Sequence, residues 1–153
     1  MVERIGMTRK RAEMVGPAGI WEKQREAQIA FLKKVGLLPS HTLLDVGCGV
    51  LRGGIPLIEY LQEGNYCGFE PSKYRLDEGK KELEESGLSY KSPQLVGAYP
   101  QEPFDYVWAF QVVIHMHEDK LYAFLGSIKL TSGGVCYFTI MDEKRIPKQG
   151  WCE

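Results

Sequence analysis

Asp45, Gly47, Gly49 and Glu70 are the residues whose types and spacing point most directly to chemistry. Two glycines one residue apart let the backbone turn tightly and come close to a bound molecule, and a helix starting just after them offers N–H groups with no intrahelical partner. A Gly-x-Gly after a strand also opens dinucleotide-binding folds, where a pyrophosphate sits on the helix N-terminus. Asp45, two residues before Gly47, argues against that use, because its carboxylate would repel a pyrophosphate and attract an ammonium group. Gly47, Gly49 and Gly53 are spaced GxGxxxG, whereas the common dinucleotide fingerprint is GxGxxG. Both features favour an amino-acid-bearing cofactor. Glu70, after a second apolar run, has two oxygens that can accept from both hydroxyls of a ribose. Asp45 read as a turn carboxylate and Glu70 as a solvated strand end are the plain alternatives. That both fall at the ends of expected strands favours the cofactor site.

These residues need a scaffold, and the chain alternates between helical and strand periods from residue 20 onward, as a parallel sheet with crossover helices does. Residues 20–35 are expected to form a helix with Ala27, Ala30 and Phe31 on its apolar face and Gly36 as its stop. TLLDV (42–46) is the first strand, followed by a glycine turn and a helix over 54–62 carrying Ile55, Ile58 and Leu61. A Gly64-Asn65 turn leads to the second strand, 66–69, and Pro71 opens a helix that runs to residue 86 and stops at Gly87. The third strand is expected around 95–98, before the loop from Pro100 to Pro103. FDYVWAF (104–110) is the fourth strand, and a helix over 118–130 carries Leu121, Phe124, Leu125 and Ile128. Gly133-Gly134 ends that helix, and VCYFTIM (135–141) is the fifth strand. The expected organisation is an extension over 1–19 and one domain over 20–153.

Composition agrees with one compact α/β domain: 153 residues, 44% hydrophobic and 25% charged. A net charge of -1 leaves no global field for nucleic acid, and the cluster Arg4, Arg9, Lys10 and Arg11 reads as a solvated tail. Cys48, Cys67, Cys136 and Cys152 form no CxxC pair and have no paired histidine spacing, so reduced thiols and no metal site are expected. Residues 1–16 are interrupted by charges and hold no apolar run of signal-peptide type, and no stretch approaches membrane-spanning length. A cytoplasmic location is the expectation.

From about residue 20 to 141 the sequence resembles the class I S-adenosylmethionine-dependent methyltransferases. DVGCG (45–49) is similar to their first motif, GFEPS (68–72) to the acidic second-strand motif, and FDYVWAFQVVIHM (104–116) to the fourth-strand segment. Gly133-Gly134 resembles the turn before their fifth strand. The resemblance implies a Rossmann-like sheet of about five strands in the order 3-2-1-4-5 with helices on both faces. It also implies S-adenosylmethionine as cofactor, with Asp45, Gly47, Cys48 and Gly49 at its methionine part, Glu70 at the ribose, and Phe110 with Gln111 on the methionine side. Two departures stand out. No acidic residue lies between Leu95 and Gln101 to accept from an adenine amino group, a role left to backbone or Gln94. Residues 142–153 are also too few for the hairpin of strands six and seven that closes the seven-stranded fold.

Methyl transfer asks mainly for alignment, because the sulfonium is already activated, and only some acceptors need a general base. His115 and His117, after the fourth strand, are the candidates; the alternative for both is a hydrogen-bonded packing role. Trp108 and Phe110 read as core. Arg52 either pairs with a cofactor carboxylate or faces solvent at a helix start, and Tyr99 either stacks on adenine or covers a loop. The expected acceptor is a small molecule. The alternatives are an inactive cofactor-binding scaffold and, further off, a nicotinamide-dependent oxidoreductase. The uncharged run Val135, Cys136, Tyr137, Phe138 and Ile140 predicts an edge that seeks a partner, either a second copy or the chain's own residues 142–153.

Overall fold

The structure, a computed structural model, describes residues 20–140 together with Arg11 and Met14. Residues 142–153, expected to cover the last strand, lie outside the described residues, as do Arg4, Arg9, Lys10 and Cys152. The described elements are α1 (Trp21–Lys34), β1 (Leu43–Val46), α2 (Gly54–Tyr60), β2 (Tyr66–Phe69), α3 (Lys73–Glu85), β3 (Gln94–Val96), β4 (Phe104–Ala109), α4 (Glu118–Ser127) and β5 (Leu130–Phe138). Short 3-10 turns occupy Ser89–Lys91 and Val113–His115. The five strands form one sheet in the order β3-β2-β1-β4-β5, and every pairing is parallel. This is the expected Rossmann-like order.

Strand alternation sends apolar side chains to both faces, as a sheet covered on both sides requires. Leu43, Tyr66, Tyr106 and Trp108 pack with Leu32 of α1, Leu57 and Ile58 of α2 and Leu83 of α3. Leu44, Val46, Cys67, Val107 and Ala109 pack on the other face with Phe124 of α4. At the base of the sheet, Asp105 ties three segments together, accepting from the Thr42 N–H at 2.8 Å and from the Thr131 hydroxyl at 2.6 Å.

Four details depart from the sequence expectation. In α1 the buried residues are Trp21, Gln28 and Leu32, while Ala27, Ala30 and Phe31 are exposed. The inward stripe contains a polar glutamine, so counting apolar residues selected the wrong face. Pro71 precedes α3 rather than opening it, because Ser72 is the N-cap and its hydroxyl accepts from the Arg75 N–H. Gly133 and Gly134 lie inside β5, which begins at Leu130. The strand carries an irregularity there: Phe104 pairs with Leu130 but Tyr106 with Val135, and Gly133 has φ +82°. Glycines at such a bulge resemble a turn when only the sequence is read.

The fourth departure is Arg11, which is buried. It donates to Glu78 at 3.1 Å and Glu82 at 2.9 Å and also pairs with Glu85, three residues along one side of α3. The spacing of those glutamates aligns them on a helix face. The charge pairing, rather than solvent, therefore claims this member of the N-terminal basic cluster.

Candidate functional site

β1 is buried along its whole length and lies between β2 and β4, with Asp45 opposite Gly68 and Trp108. Asp45 shares the face of Leu43, so its carboxylate is held among apolar neighbours and is only 4% exposed. The Tyr66 hydroxyl donates to its Oδ2 at 2.6 Å. Burial pushes the Asp45 carboxyl up to about 7, although the Tyr66 bond and the nearby Arg52 charge both favour the ionised form. Burial likewise pushes the Cys48 thiol and the Tyr66 phenol up.

The loop after β1 needs its glycines. Gly47 has φ +70° and Gly49 φ +56°, and a Cβ on Gly47 would lie 2.5 Å from a methyl of Val112. Gly68 on β2 makes room for the loop, since a Cβ there would meet Cys48 Sγ at 2.8 Å. The loop's N–H groups are spent inside the protein. Those of Gly47 and Cys48 donate to the Phe69 carbonyl, and that of Gly49 donates to Glu70 Oε2 at 3.2 Å. No phosphate cradle is formed by these three groups.

Glu70, 3% exposed, follows β2. Besides Gly49 it accepts from the Ser72 N–H through Oε1 at 2.9 Å, and Arg75 stands 3.8 Å away. Each oxygen retains a further lone pair, so the carboxylate is fixed in direction and still able to accept.

A pocket opens at this end of the sheet, walled by Asp45, Gly47, Cys48, Gly49 and Phe110, together with Gln28, Arg52 and Gly53. The structure thus brings together five of the expected site residues. Glu70 is not part of that wall but adjoins it through Gly49. Gln111 stands behind Arg52, whose Nη2 donates to Gln111 Oε1 at 3.3 Å, and holds a left-handed backbone, φ +57°, with its N–H on the Thr139 hydroxyl. A non-glycine residue kept in that conformation is typical of a functional loop. His115 and His117 are exposed and line no part of the wall. Gln94 is exposed, and Tyr99 packs edge-on against Phe69 and Phe124.

Arg52 does not face solvent. Its side chain turns inward between the rings of Trp21 and Phe110. Trp108 is core, as expected, and its Nε1 donates to Gln28 Oε1 at 3.1 Å. Gln28 and Tyr66 are site residues that sequence reasoning passed over. For Gln28 a signal was present, a polar residue seven positions after Trp21 and four before Leu32 on the stripe that α1 buries.

Comparison with known proteins gives consistent relatives. A family model described as "Methyltransferase domain" matches residues 44–136. The sterol 24-C-methyltransferase of Pneumocystis carinii is 31% identical over 85 residues, 52% of this chain and 22% of that protein. An uncharacterized methyltransferase of Schizosaccharomyces pombe is 30% identical over 112 residues, 62% of this chain and 37% of that protein. The chain therefore spans well under half the length of either relative. Among solved structures, the magnesium protoporphyrin IX methyltransferase of Synechocystis PCC 6803 with bound SAM matches with a TM-score of 0.62 at 20% identity, covering 80% of this chain and 58% of that one. A glycopeptide N-methyltransferase matches with a TM-score of 0.65 at 17% identity, covering 86% and 64%. With the family model spanning more than half of its residues, the chain belongs to the methyltransferase domain family.

Proposed function

We propose that this chain binds S-adenosylmethionine in the pocket beside Gly47 and Gly49 and serves methyl transfer to a small-molecule acceptor. The observation that carries the reading is the pair of buried carboxylates, Asp45 and Glu70, at the ends of neighbouring strands on either side of the glycine loop. The residues fit the cofactor. The loop N–H groups are already occupied and Asp45 is negative when ionised, so the site is poor for a pyrophosphate and suited to an ammonium group. Glu70, oriented by Gly49 and Ser72, is suited to two vicinal hydroxyls. Family membership and the cofactor-bound state of similar structures support the same reading.

S-adenosylmethionine, when bound, supplies a methyl group already activated on a sulfonium. Asp45 would hold the ammonium, Gly47, Cys48 and Gly49 would let the backbone approach the methionine part, and Glu70 would hold the ribose. Phe110 would supply an apolar part of the wall, and Gln111 holds the left-handed turn after β4. His115 or His117 would take a proton from those acceptors that must lose one. We further propose a cytoplasmic location and self-association through the outer edge of β5, which pairs with no other strand among the described residues. Free thiols at Cys48, Cys67 and Cys136 suit the former. The latter rests on the uncharged outer strand of the sheet. Among the described residues no helix is long and apolar enough to cross a membrane.

The test is a panel of small-molecule acceptors scored by release of S-adenosylhomocysteine. Turnover with at least one acceptor supports the reading, and tight cofactor binding without turnover across the panel would instead favour a binding subunit.

A further inference from the structure

The turn between β1 and α2 carries backbone strain beyond its glycines. Leu51 holds φ +63°, a left-handed conformation that a leucine keeps only when its surroundings impose it, and its side chain is fully buried. Three contacts from other elements bear on this turn. From α3, Gly79 lies so close that a Cβ there would stand 3.1 Å from the Gly49 carbonyl oxygen and 3.6 Å from the Val50 Cα. From the start of α1 and ahead of it, Trp21 and Met14 pack on Val50. From within α1, Arg25 Nε donates to the Arg52 carbonyl at 2.8 Å.

A buried chain of charges ties these contacts together. Glu82, 6% exposed, stands on α3 three residues beyond Gly79, on the same side of the helix. Its Oε2 accepts from Arg11 Nη1 at 2.9 Å, and its Oε1 faces Arg25 Nη2 at 3.6 Å. Arg11 also holds Glu78 and Glu85, so it grips α3 over about two turns. The path from Arg11 through Glu82 and Arg25 to the Arg52 carbonyl therefore ends at the pocket wall, to which Gly49, Arg52 and Gly53 belong. Arg11, Glu82 and Arg25 are not themselves in that wall. Buried ion pairs add little net stability over well-packed apolar residues, because desolvation offsets their attraction, so what this chain of charges contributes is orientation.

We infer that Arg11 is a positioning residue for ligand binding: through Glu82 and Arg25 it holds the turn over 48–52 in its strained, binding-competent shape. This inference rests on the cofactor reading above. Without the brace Leu51 can leave the left-handed region, and apparent affinity falls with the fraction of molecules whose turn is still competent. Plain destabilisation would instead remove folded molecules and leave the affinity of the rest unchanged.

The experiment is a calorimetric titration with S-adenosylhomocysteine at pH 8.5, with urea unfolding of each variant alongside. Arg25→Ala should weaken binding by about 10-fold and Arg11→Ala by about 5-fold. Because both act along one path, adding Arg11→Ala to Arg25→Ala should weaken binding by less than about 2-fold further. Arg11→Lys, which keeps the charge, should recover most of the Arg11→Ala loss. Thr131→Val removes the 2.6 Å bond to Asp105 at the base of the sheet, and should lower stability while leaving affinity within about 2-fold. If Arg11→Ala fails to fold, Glu82→Gln takes its place, with the same loss of about 5-fold expected. Unchanged affinity in Arg11→Ala and Arg25→Ala, fully additive losses in the double variant, or an equal loss in Thr131→Val would overturn the inference and leave the cofactor reading intact. Failure of the unmodified protein to bind S-adenosylhomocysteine would overturn both.

Discussion

The Tyr66 hydroxyl donates to Asp45 across two neighbouring strands at 2.6 Å, and both side chains are buried. The bond fixes the carboxylate in place, while burial makes its ionisation costly. Asp45, held near 7, is therefore poised to ionise fully when a cation arrives.

A pH dependence of stability follows. In the unfolded chain an aspartate titrates at about 3.9, so between roughly pH 4 and 7 the folded state binds the extra proton. Stability without ligand should fall as pH rises through that window, by up to about 4 kcal/mol from this group. Asp105 is held below its usual range by its Thr131 and Thr42 bonds, so its contribution acts in the opposite direction and is lost only as pH falls through the acid range. Urea unfolding at pH 5 and pH 8 should show the loss in the unmodified protein and a much smaller one in Asp45→Asn.

Gly47→Ala should be severely destabilising or abolish ligand binding. The substitution adds both a left-handed backbone penalty and a Cβ 2.5 Å from Val112. A loss of about 2–4 kcal/mol in unfolding free energy is expected. Combining it with Val112→Ala should recover part of that loss, and no recovery would show that backbone strain alone sets the cost.

Arg11→Ala removes a shared partner of Glu78, Glu82 and Glu85; among the described residues the buried Glu82 then keeps Arg25 at 3.6 Å. Breaking a buried ion pair on one side costs about 3–5 kcal/mol, less here because Glu85 is partly exposed. Thermal melts should show a clear drop, and an unchanged midpoint would mean that the cluster contributes nothing to stability.

His115→Ala and His117→Ala should leave the melting temperature nearly unchanged, since both residues are exposed. If one is the general base, its removal lowers turnover about 100-fold or more while cofactor affinity holds. Unchanged turnover in both variants would retire the base assignment.

The strand order, the glycine loop and the two carboxylates were legible because each rests on a local signal. Short apolar runs end in glycine at Gly47 and in an acid at Glu70, and intervening helical periods force parallel pairing. What escaped depends on contacts distant in sequence. Tyr66 is an ordinary strand aromatic until β2 is laid beside β1, and only then does its hydroxyl reach Asp45. Gln28 misled the choice of helix face because its role is to meet Trp108, eighty residues away. Gly133 and Gly134 mark a bulge where a turn was expected, since glycine punctuates both.

The most direct measurement is a calorimetric titration of the purified chain with S-adenosylhomocysteine and, separately, with NAD at pH 8.5. The expected result is one site for S-adenosylhomocysteine and negligible heat with NAD, with Asp45→Asn and Glu70→Gln each weakening the former by about 1–3 kcal/mol. Undiminished affinity in both variants, or NAD binding as tight as that of S-adenosylhomocysteine, would contradict the assignment of the site.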